Sequence, residues 1–96
     1  MTFDIPQWRV SRDSGFDKLL ARLPKDEQER ILKHLEDANF DPYQGDIRKL
    51  KGSNVWAKRL GEYRVFYEID QAERSVNVYH VERRNTQTYR RGKHKR

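Results

Sequence analysis

Apolar residues in the first half of the chain recur at the spacing of amphipathic helices. Phe16, Leu19, Leu20 and Leu23 fall at i, i+3, i+4 and i+7, and Pro24 ends this pattern. A second stripe follows, formed by Ile31, Leu32, Leu35 and Ala38. Two such helices joined by a tight proline turn predict an αα-hairpin, preceded by a short strand near residues 8–11. We interpret this half as the scaffold.

The second half shows the two-residue alternation that is typical of β-strands. Three runs, Val55–Leu60, Tyr63–Ile69 and Val76–Arg83, predict a three-stranded antiparallel meander after a loop over residues 41–46. Gly61-Glu62 predicts a two-residue hairpin turn with glycine in the first position. The expected fold class is α+β, with the helical hairpin packed on a small antiparallel sheet.

The hairpin turn sets a register that sorts the strand residues onto two faces. Leu60 then lies opposite Tyr63, and a second loop of even length places Ile69 opposite Val76. One face collects the apolar residues that the helices would cover, namely Trp56, Leu60, Tyr63, Val65, Tyr67, Ile69, Val76 and Val78. His80 falls on this helix-facing side. The opposite face holds Arg59, Arg64, Phe66, Glu68, Asn77, Tyr79, Val81 and Arg83.

Three arginines converge on that opposite face. Arg59 lies directly across from Arg64, and Arg83 lies diagonally from Arg64 on the other side. Like charges facing each other in a sheet are destabilising, so the cluster indicates a site for an anion. Phe66 and Tyr79 beside it could stack a base, as proteins that bind single-stranded RNA do. The alternative is that Glu62 and Glu68 neutralise the arginines and the two rings only pack.

The charge of the chain supports a polyanionic partner. Residues 1–48 carry eight Lys and Arg against ten Asp and Glu, a net charge of −2, whereas residues 49–96 carry thirteen against five, a net charge of +8. Such an excess is typical of a surface that meets nucleic acid. The basic residues 92–96 are expected to form a disordered tail after a single domain over residues 1–91.

The composition also excludes several classes of protein. The 96 residues include no cysteine, which excludes a disulfide scaffold and a thiolate metal site. The apolar runs are too short to cross a bilayer, and no secretory signal is seen, so a cytoplasmic protein without membrane contact is expected. His34, His80 and His94 are too dispersed to suggest a metal site, and no cofactor-binding motif is present.

Several motifs in this order resemble the RelE/ParE toxin superfamily. They are Lys49-Leu50-Lys51-Gly52, then Gly61, Tyr63, Arg64 and Tyr67 in a Gly-x-Tyr-Arg-x-x-Tyr arrangement, then Arg83 and Tyr89. The resemblance covers nearly the whole chain. It implies the toxin of a type II toxin–antitoxin pair, and RelE-like members cut mRNA in the ribosomal A site without a metal. The alternative within the superfamily is a ParE-like toxin that poisons DNA gyrase and is not a nuclease.

The resemblance also implies a set of site residues. Arg64, Arg83 and Tyr89 match catalytic positions of the RelE-like branch, which favours the ribonuclease. Val55 and Ala57 stand where that branch carries catalytic lysines, so Lys51 is the expected substitute. The residues expected to contact RNA or the ribosome are Lys49, Lys58, Arg59, Phe66, Tyr79, Arg84 and Arg90.

The resemblance finally implies partners. These are a cognate acidic, RelB-like antitoxin, the ribosome and its mRNA, with DNA reached only through the antitoxin complex.

Overall fold

The computed structural model describes residues 8–84, so the predicted site residues Tyr89 and Arg90 and the predicted tail over residues 92–96 lie outside the described residues. Two helices lie on one side of a five-stranded sheet, which confirms the α+β class. In chain order the elements are β1 Arg9–Arg12, α1 Ser14–Leu20, α2 Lys25–Leu35, β2 Ile47–Lys49, β3 Val55–Leu60, β4 Tyr63–Asp70 and β5 Ser75–Arg83.

The sheet is mixed, which differs from the purely antiparallel sheet expected from the sequence. The strand order is β1-β5-β4-β3-β2, and β1 pairs with β5 in parallel while the other pairs are antiparallel. A parallel partner needs a crossover connection, and the helical hairpin between β1 and the meander supplies it. The short edge strand β2 was not predicted, because three residues are too few to show an alternation.

The helical hairpin forms, but α2 ends at Leu35, so Ala38, which the second stripe placed on its inner face, lies in an exposed turn beyond the helix. Pro24 is the N-cap of α2, and Gln28 donates a hydrogen bond to the carbonyl of Leu23 at 2.8 Å, which ties the end of α1 to the start of α2. The helices bury Phe16, Leu20, Ile31 and Leu35 against apolar residues of β4 and β5. None of the helices in the described residues is long and apolar enough to span a membrane.

The register between β3 and β4 is the predicted one. Leu60 lies opposite Tyr63, and Trp56 lies opposite Tyr67. Gly61 has a φ of +62°, the left-handed conformation that the first position of this turn requires and that glycine adopts without a steric penalty. Tyr67 is fully buried and donates a hydrogen bond to the carbonyl of Pro42 at 2.7 Å, so the sheet also holds the loop after α2.

The register between β4 and β5 changes within the strands. Tyr67 lies opposite Val78 as predicted, but Phe66 lies opposite His80, so a β-bulge occurs there and Tyr79 is the extra residue. Val81 is consequently buried with 4% of its surface exposed. The expectations that Val81 and Arg83 face away from the helices and that His80 faces them are therefore wrong. The bulge keeps the apolar Val81 in the core, where strict alternation would have placed an imidazole.

Candidate functional site

The side of the sheet turned away from the helices, here the outer face, carries two rows of side chains across the strands. One row runs from Asp46 through Arg59 and Arg64 to Glu82; the backbone N–H of Arg59 donates to the carbonyl of Asp46 at 2.9 Å. The next row consists of Arg48, Ala57, Phe66 and His80. Because side chains of paired residues lie on the same face, these two rows define the chemistry available there.

A shallow cavity of about 280 Å³ lies on the β2 side of this face. Four arginines line it, and we call it the arginine pocket: Arg48, Arg59, Arg64 and Arg84, together with Asp46, Ile47, Leu50, Ala57 and Phe66. Guanidinium groups present a planar fork of N–H donors that matches the oxygens of a phosphate. The pocket therefore groups donors that match phosphate oxygens beside the ring of Phe66.

Two of the pocket arginines have carboxylate partners. Arg59 lies 3.3 Å from Asp46, and Arg64 lies 3.6 Å from Glu82. Within residues 8–84 no ion pair is found for Arg48 or Arg84. The sequence suggested Glu62 and Glu68 as the neutralising groups, whereas Asp46 and Glu82 pair with the outer-face arginines. These half-exposed pairs contribute little stability, so a phosphate can compete for the guanidinium groups.

Arg83 lies on the other side of the sheet from Arg64. It pairs with Tyr63, whose ring is buried among the core residues, and its Nη2 lies 2.6 Å from Glu62 Oε1. Arg84 instead extends the strand, donating its backbone N–H to the carbonyl of Glu62 at 2.7 Å, and its side chain lines the arginine pocket. The diagonal Arg64–Arg83 arrangement predicted from the sequence is thus wrong, and Arg84 occupies the expected place. The β-bulge accounts for this exchange, because it shifts the alternation of β5 by one residue and so turns Arg84, rather than Arg83, toward the outer face.

The lysines predicted for the site lie elsewhere. Lys51 is in the turn between β2 and β3, at the end of β3 where Val55 lies opposite Glu68. Glu68 is four residues along β4 from Arg64, a separation of roughly 13 Å at the usual rise per residue of a strand. Lys49 lies on the helix-facing side, with its Nζ 5.9 Å from the centroid of the Trp56 ring.

Lys58 is buried, and so the expectation that it contacts RNA is wrong. Only 4% of its surface is exposed, its Nζ donates to the carbonyl of Asp41 at 3.2 Å and it lies 4.7 Å from the centroid of the Phe40 ring. Burial lowers the pKa of Lys58, and the Asp41 carboxylate opposes this shift. Arg48, which sequence reasoning missed, supplies the cation on this side of the pocket. The signal for it would have been a strand at residues 47–49 in which only Arg48 faces outward.

The predicted aromatic residues do lie on or beside the outer face. Phe66 and His80 form an edge contact, with ring centroids 5.4 Å apart and planes at 64°. Tyr79, the extra residue of the bulge, is half-buried, and burial together with the nearby charge of Glu68 raises its pKa. Among residues 8–84 no cluster of three or more His, Asp and Glu could hold a metal ion.

Comparison with protein families assigns the chain to a class. The profile of the ParE toxin of type II toxin–antitoxin systems matches residues 13–88. The chain therefore belongs to this family, a toxin family of the RelE/ParE superfamily, as the Gly-x-Tyr-Arg-x-x-Tyr motif implied. The comparison with curated protein sequences gave no match.

Solved structures show the same fold. A chain of the RelBE2 toxin–antitoxin complex from Mycobacterium tuberculosis is 20% identical with a TM-score of 0.73, and the match covers 84% of this chain and 95% of that one. An archaeal RelE–RelB complex from Pyrococcus horikoshii matches at 27% identity and a TM-score of 0.66, over 82% and 97%. The isolated RelE toxin of Escherichia coli matches at 20% identity and 0.64, over 88% and 97%. The architecture is thus that of RelE toxins.

Proposed function

We propose that this toxin is a ribosome-dependent endoribonuclease that cleaves mRNA in the ribosomal A site and so inhibits translation. The observation that carries the proposal is the arginine pocket, in which Arg48, Arg59, Arg64 and Arg84 surround a space for a phosphate beside Phe66. An arginine cluster next to a half-exposed ring is what a protein needs to hold the backbone and stack a base of single-stranded RNA. The RelE architecture supports the same reading.

The pocket suits a cleavage in which the RNA supplies its own nucleophile. The 2′-hydroxyl attacks the adjacent phosphorus, the bond to the 5′-oxygen breaks, and the products carry a 2′,3′-cyclic phosphate and a 5′-hydroxyl. Negative charge grows on the non-bridging oxygens as the phosphorane forms. Preorganised guanidinium groups stabilise that charge without requiring a metal ion, and each such donor contributes about 3–4 kcal/mol. Arg64 and Arg84 are the groups we assign to this role, and Tyr89 remains a proposed catalytic residue.

We further propose a cognate acidic, RelB-like antitoxin as the partner that inhibits the toxin. Structural neighbours include complexes of RelE with RelB, and the net charge of +8 on residues 49–96 favours an acidic segment that folds over the basic half. DNA is then contacted through the antitoxin complex rather than directly. With mRNA on the ribosome as the proposed substrate, we propose that the toxin acts in the cytoplasm.

Primer extension in a translating extract tests this proposal. Added protein should produce mRNA ends that cluster at the codon in the A site, and the cuts should disappear when ribosomes are omitted. Arg64→Ala should lower their yield about 10²–10³-fold, while a variant of the distant exposed Arg9, Arg9→Ala, should cut like the wild type. Intact mRNA at all protein concentrations would contradict the nuclease.

One observation favours a second candidate function, a gyrase poison that is not a nuclease. The family profile that matches the chain is that of ParE toxins. Purified gyrase with supercoiled DNA separates the two candidates. Covalent gyrase–DNA cleavage complexes that accumulate with added protein, together with intact mRNA, would favour the gyrase poison.

A further inference from the structure

The bulge in β5 brings a histidine and a carboxylate onto the outer face beside Arg64. His80 lies directly across from Phe66, and Glu82 lies directly across from Arg64. The Nε2 atom of His80 is 3.2 Å from Glu82 Oε1, while the other carboxylate oxygen, Oε2, is 3.6 Å from Arg64 Nη1. One carboxylate therefore holds both a phosphate-binding arginine and an imidazole, each through a different oxygen.

The Glu82 contact selects the tautomer of the neutral imidazole. An ionised carboxylate only accepts hydrogen bonds, so the nitrogen that faces it must carry the proton. Nε2–H then donates to Glu82, and Nδ1 is left as an acceptor. A carboxylate placed in this way also stabilises the imidazolium that forms when Nδ1 takes up a proton.

His80 lies beside Phe66, the ring on which we expect a base to stack. The side chain is half-exposed, with 40% of its surface accessible, so substrate can reach the ring. Its centroid is 5.4 Å from that of Phe66. A nucleotide whose base stacks on Phe66 and whose phosphate binds Arg64 would hold its 2′-hydroxyl beside this imidazole.

We propose that His80 is the general base of the cleavage and that Glu82 is its positioning residue. The inference rests on the proposed nuclease function. Nδ1 of His80 takes the proton from the 2′-hydroxyl as the bond from the 2′-oxygen to phosphorus forms. The bond between phosphorus and the 5′-oxygen breaks, and the leaving oxygen takes a proton from solvent water. His80 then returns its proton to solvent. A general base placed in this way contributes about 10²–10⁴-fold to the rate.

Among residues 8–84, the other ionisable groups near His80 do not offer this geometry. The charged and titratable groups around His80 come from three parts of the chain. Its own strand contributes Glu82 and Tyr79, and β4 contributes Arg64 and Glu68. The segment that follows β1 contributes Asp13, whose backbone N–H donates to the carbonyl of Val78. Of these, only His80 combines an accessible side chain with a ring nitrogen that is free to accept a proton while the other nitrogen is held by a carboxylate. Lys51, the candidate suggested by the sequence, lies at the far end of β3.

Single-turnover cleavage of mRNA on programmed ribosomes tests the proposal. His80→Gln should lower the cleavage rate about 10²-fold or more while leaving ribosome binding and the thermal melt unchanged. Its matched control is His34→Gln, which changes the histidine of α2 on the helix side.

Two further measurements separate proton transfer from a structural role. An mRNA with sulfur in place of the scissile 5′-oxygen has a leaving group that needs no protonation; the His80→Gln defect should persist on it, because the 2′-hydroxyl still needs a base. The ¹⁵N shifts of the His80 ring should show the Nε2–H tautomer in the wild type and a mixture in Glu82→Ala.

The outcomes distinguish this inference from the proposed function. A folded His80→Gln protein that cleaves within about threefold of the wild type, while Arg64→Ala is slowed about 10²-fold or more, overturns the role of His80 and leaves the nuclease standing. Full recovery of His80→Gln on the sulfur substrate overturns the general-base assignment in favour of a general acid. A wild-type protein that leaves mRNA intact overturns both.

Discussion

Phe66 lies directly opposite His80, although the next residue of β4, Tyr67, lies opposite Val78. This one-residue shift decides which side chains of the last strand meet the arginines of β3 and β4. It turns His80, Glu82 and Arg84 toward the outer face and sends Val81 and Arg83 to the helix-facing side. The composition of the candidate site therefore depends on a local irregularity of the sheet.

The two neighbouring arginines at the end of β5 should differ in their effect on cleavage. Arg84→Ala should lower single-turnover cleavage about 10²–10³-fold, as should Arg64→Ala, because each removes a donor from the phosphate pocket. Arg83→Ala should change it by less than about threefold, since Arg83 pairs with Tyr63 on the helix-facing side and does not line the pocket. Thermal melts verify folding. The reverse ranking of Arg83 and Arg84 would contradict the bulged register.

Substitution of Val81 tests the bulge through stability. Val81→Ala should lower the free energy of unfolding by about 2 kcal/mol, because it removes buried methyl groups and leaves a cavity. The matched change Val55→Ala, at a half-buried position on the outer face, should cost about half as much or less. Urea denaturation of both variants supplies the comparison. Equal costs would mean that Val81 does not face the core.

The buried Lys58 should make stability depend on pH. Burial lowers its pKa in the folded state, so between that lowered value and 10.5 the unfolded chain binds more protons than the folded one. The free energy of unfolding should therefore rise as pH is raised toward 10. Lys58→Met should lose this rise and be at least as stable at pH 7, because its thioether fills the site beside Phe40 without a charge.

Denaturation of both proteins at pH 7, 8.5 and 10 measures this difference. The Asp41 carbonyl loses one donor in the variant, but Asp41 is half-exposed and water can replace it. If the free energy of unfolding changed with pH in the same way for the wild type and Lys58→Met, folding would not disfavour the charged form of Lys58.

Association with the antitoxin should depend steeply on salt. The charge of +8 on residues 49–96 should steer an acidic antitoxin segment, so the association rate should fall about tenfold or more between 50 and 500 mM salt. The dissociation rate should change less. Stopped-flow mixing of the two proteins gives both rates, and an association rate that stays constant over this range would contradict electrostatic steering.

Local patterns in the sequence were sufficient to predict the scaffold and half of the site. The helical stripes around Phe16 and Ile31 and the Gly61 turn each depend on residues close together in the chain. A two-residue turn leaves only one register for β3 and β4, and that register places Arg59 beside Arg64 and Ala57 beside Phe66 on one face. The helices and the β3–β4 register could therefore be predicted without the tertiary structure, because each depends only on residues that are close together in the chain.

The rest of the site depended on contacts between distant parts of the chain. Strand β2 exists because Arg48 and its neighbours pair with β3, and Lys58 is buried because the loop at Phe40 and Asp41 folds over it. The bulge at Tyr79 places Val81 in a core to which both helices contribute, so its stabilisation involves residues far from β5 in the chain. The alternation along a single strand cannot predict such an insertion. The bulge disrupts the hydrogen-bond ladder between β4 and β5, and the free energy that offsets this disruption comes from a core formed by other elements.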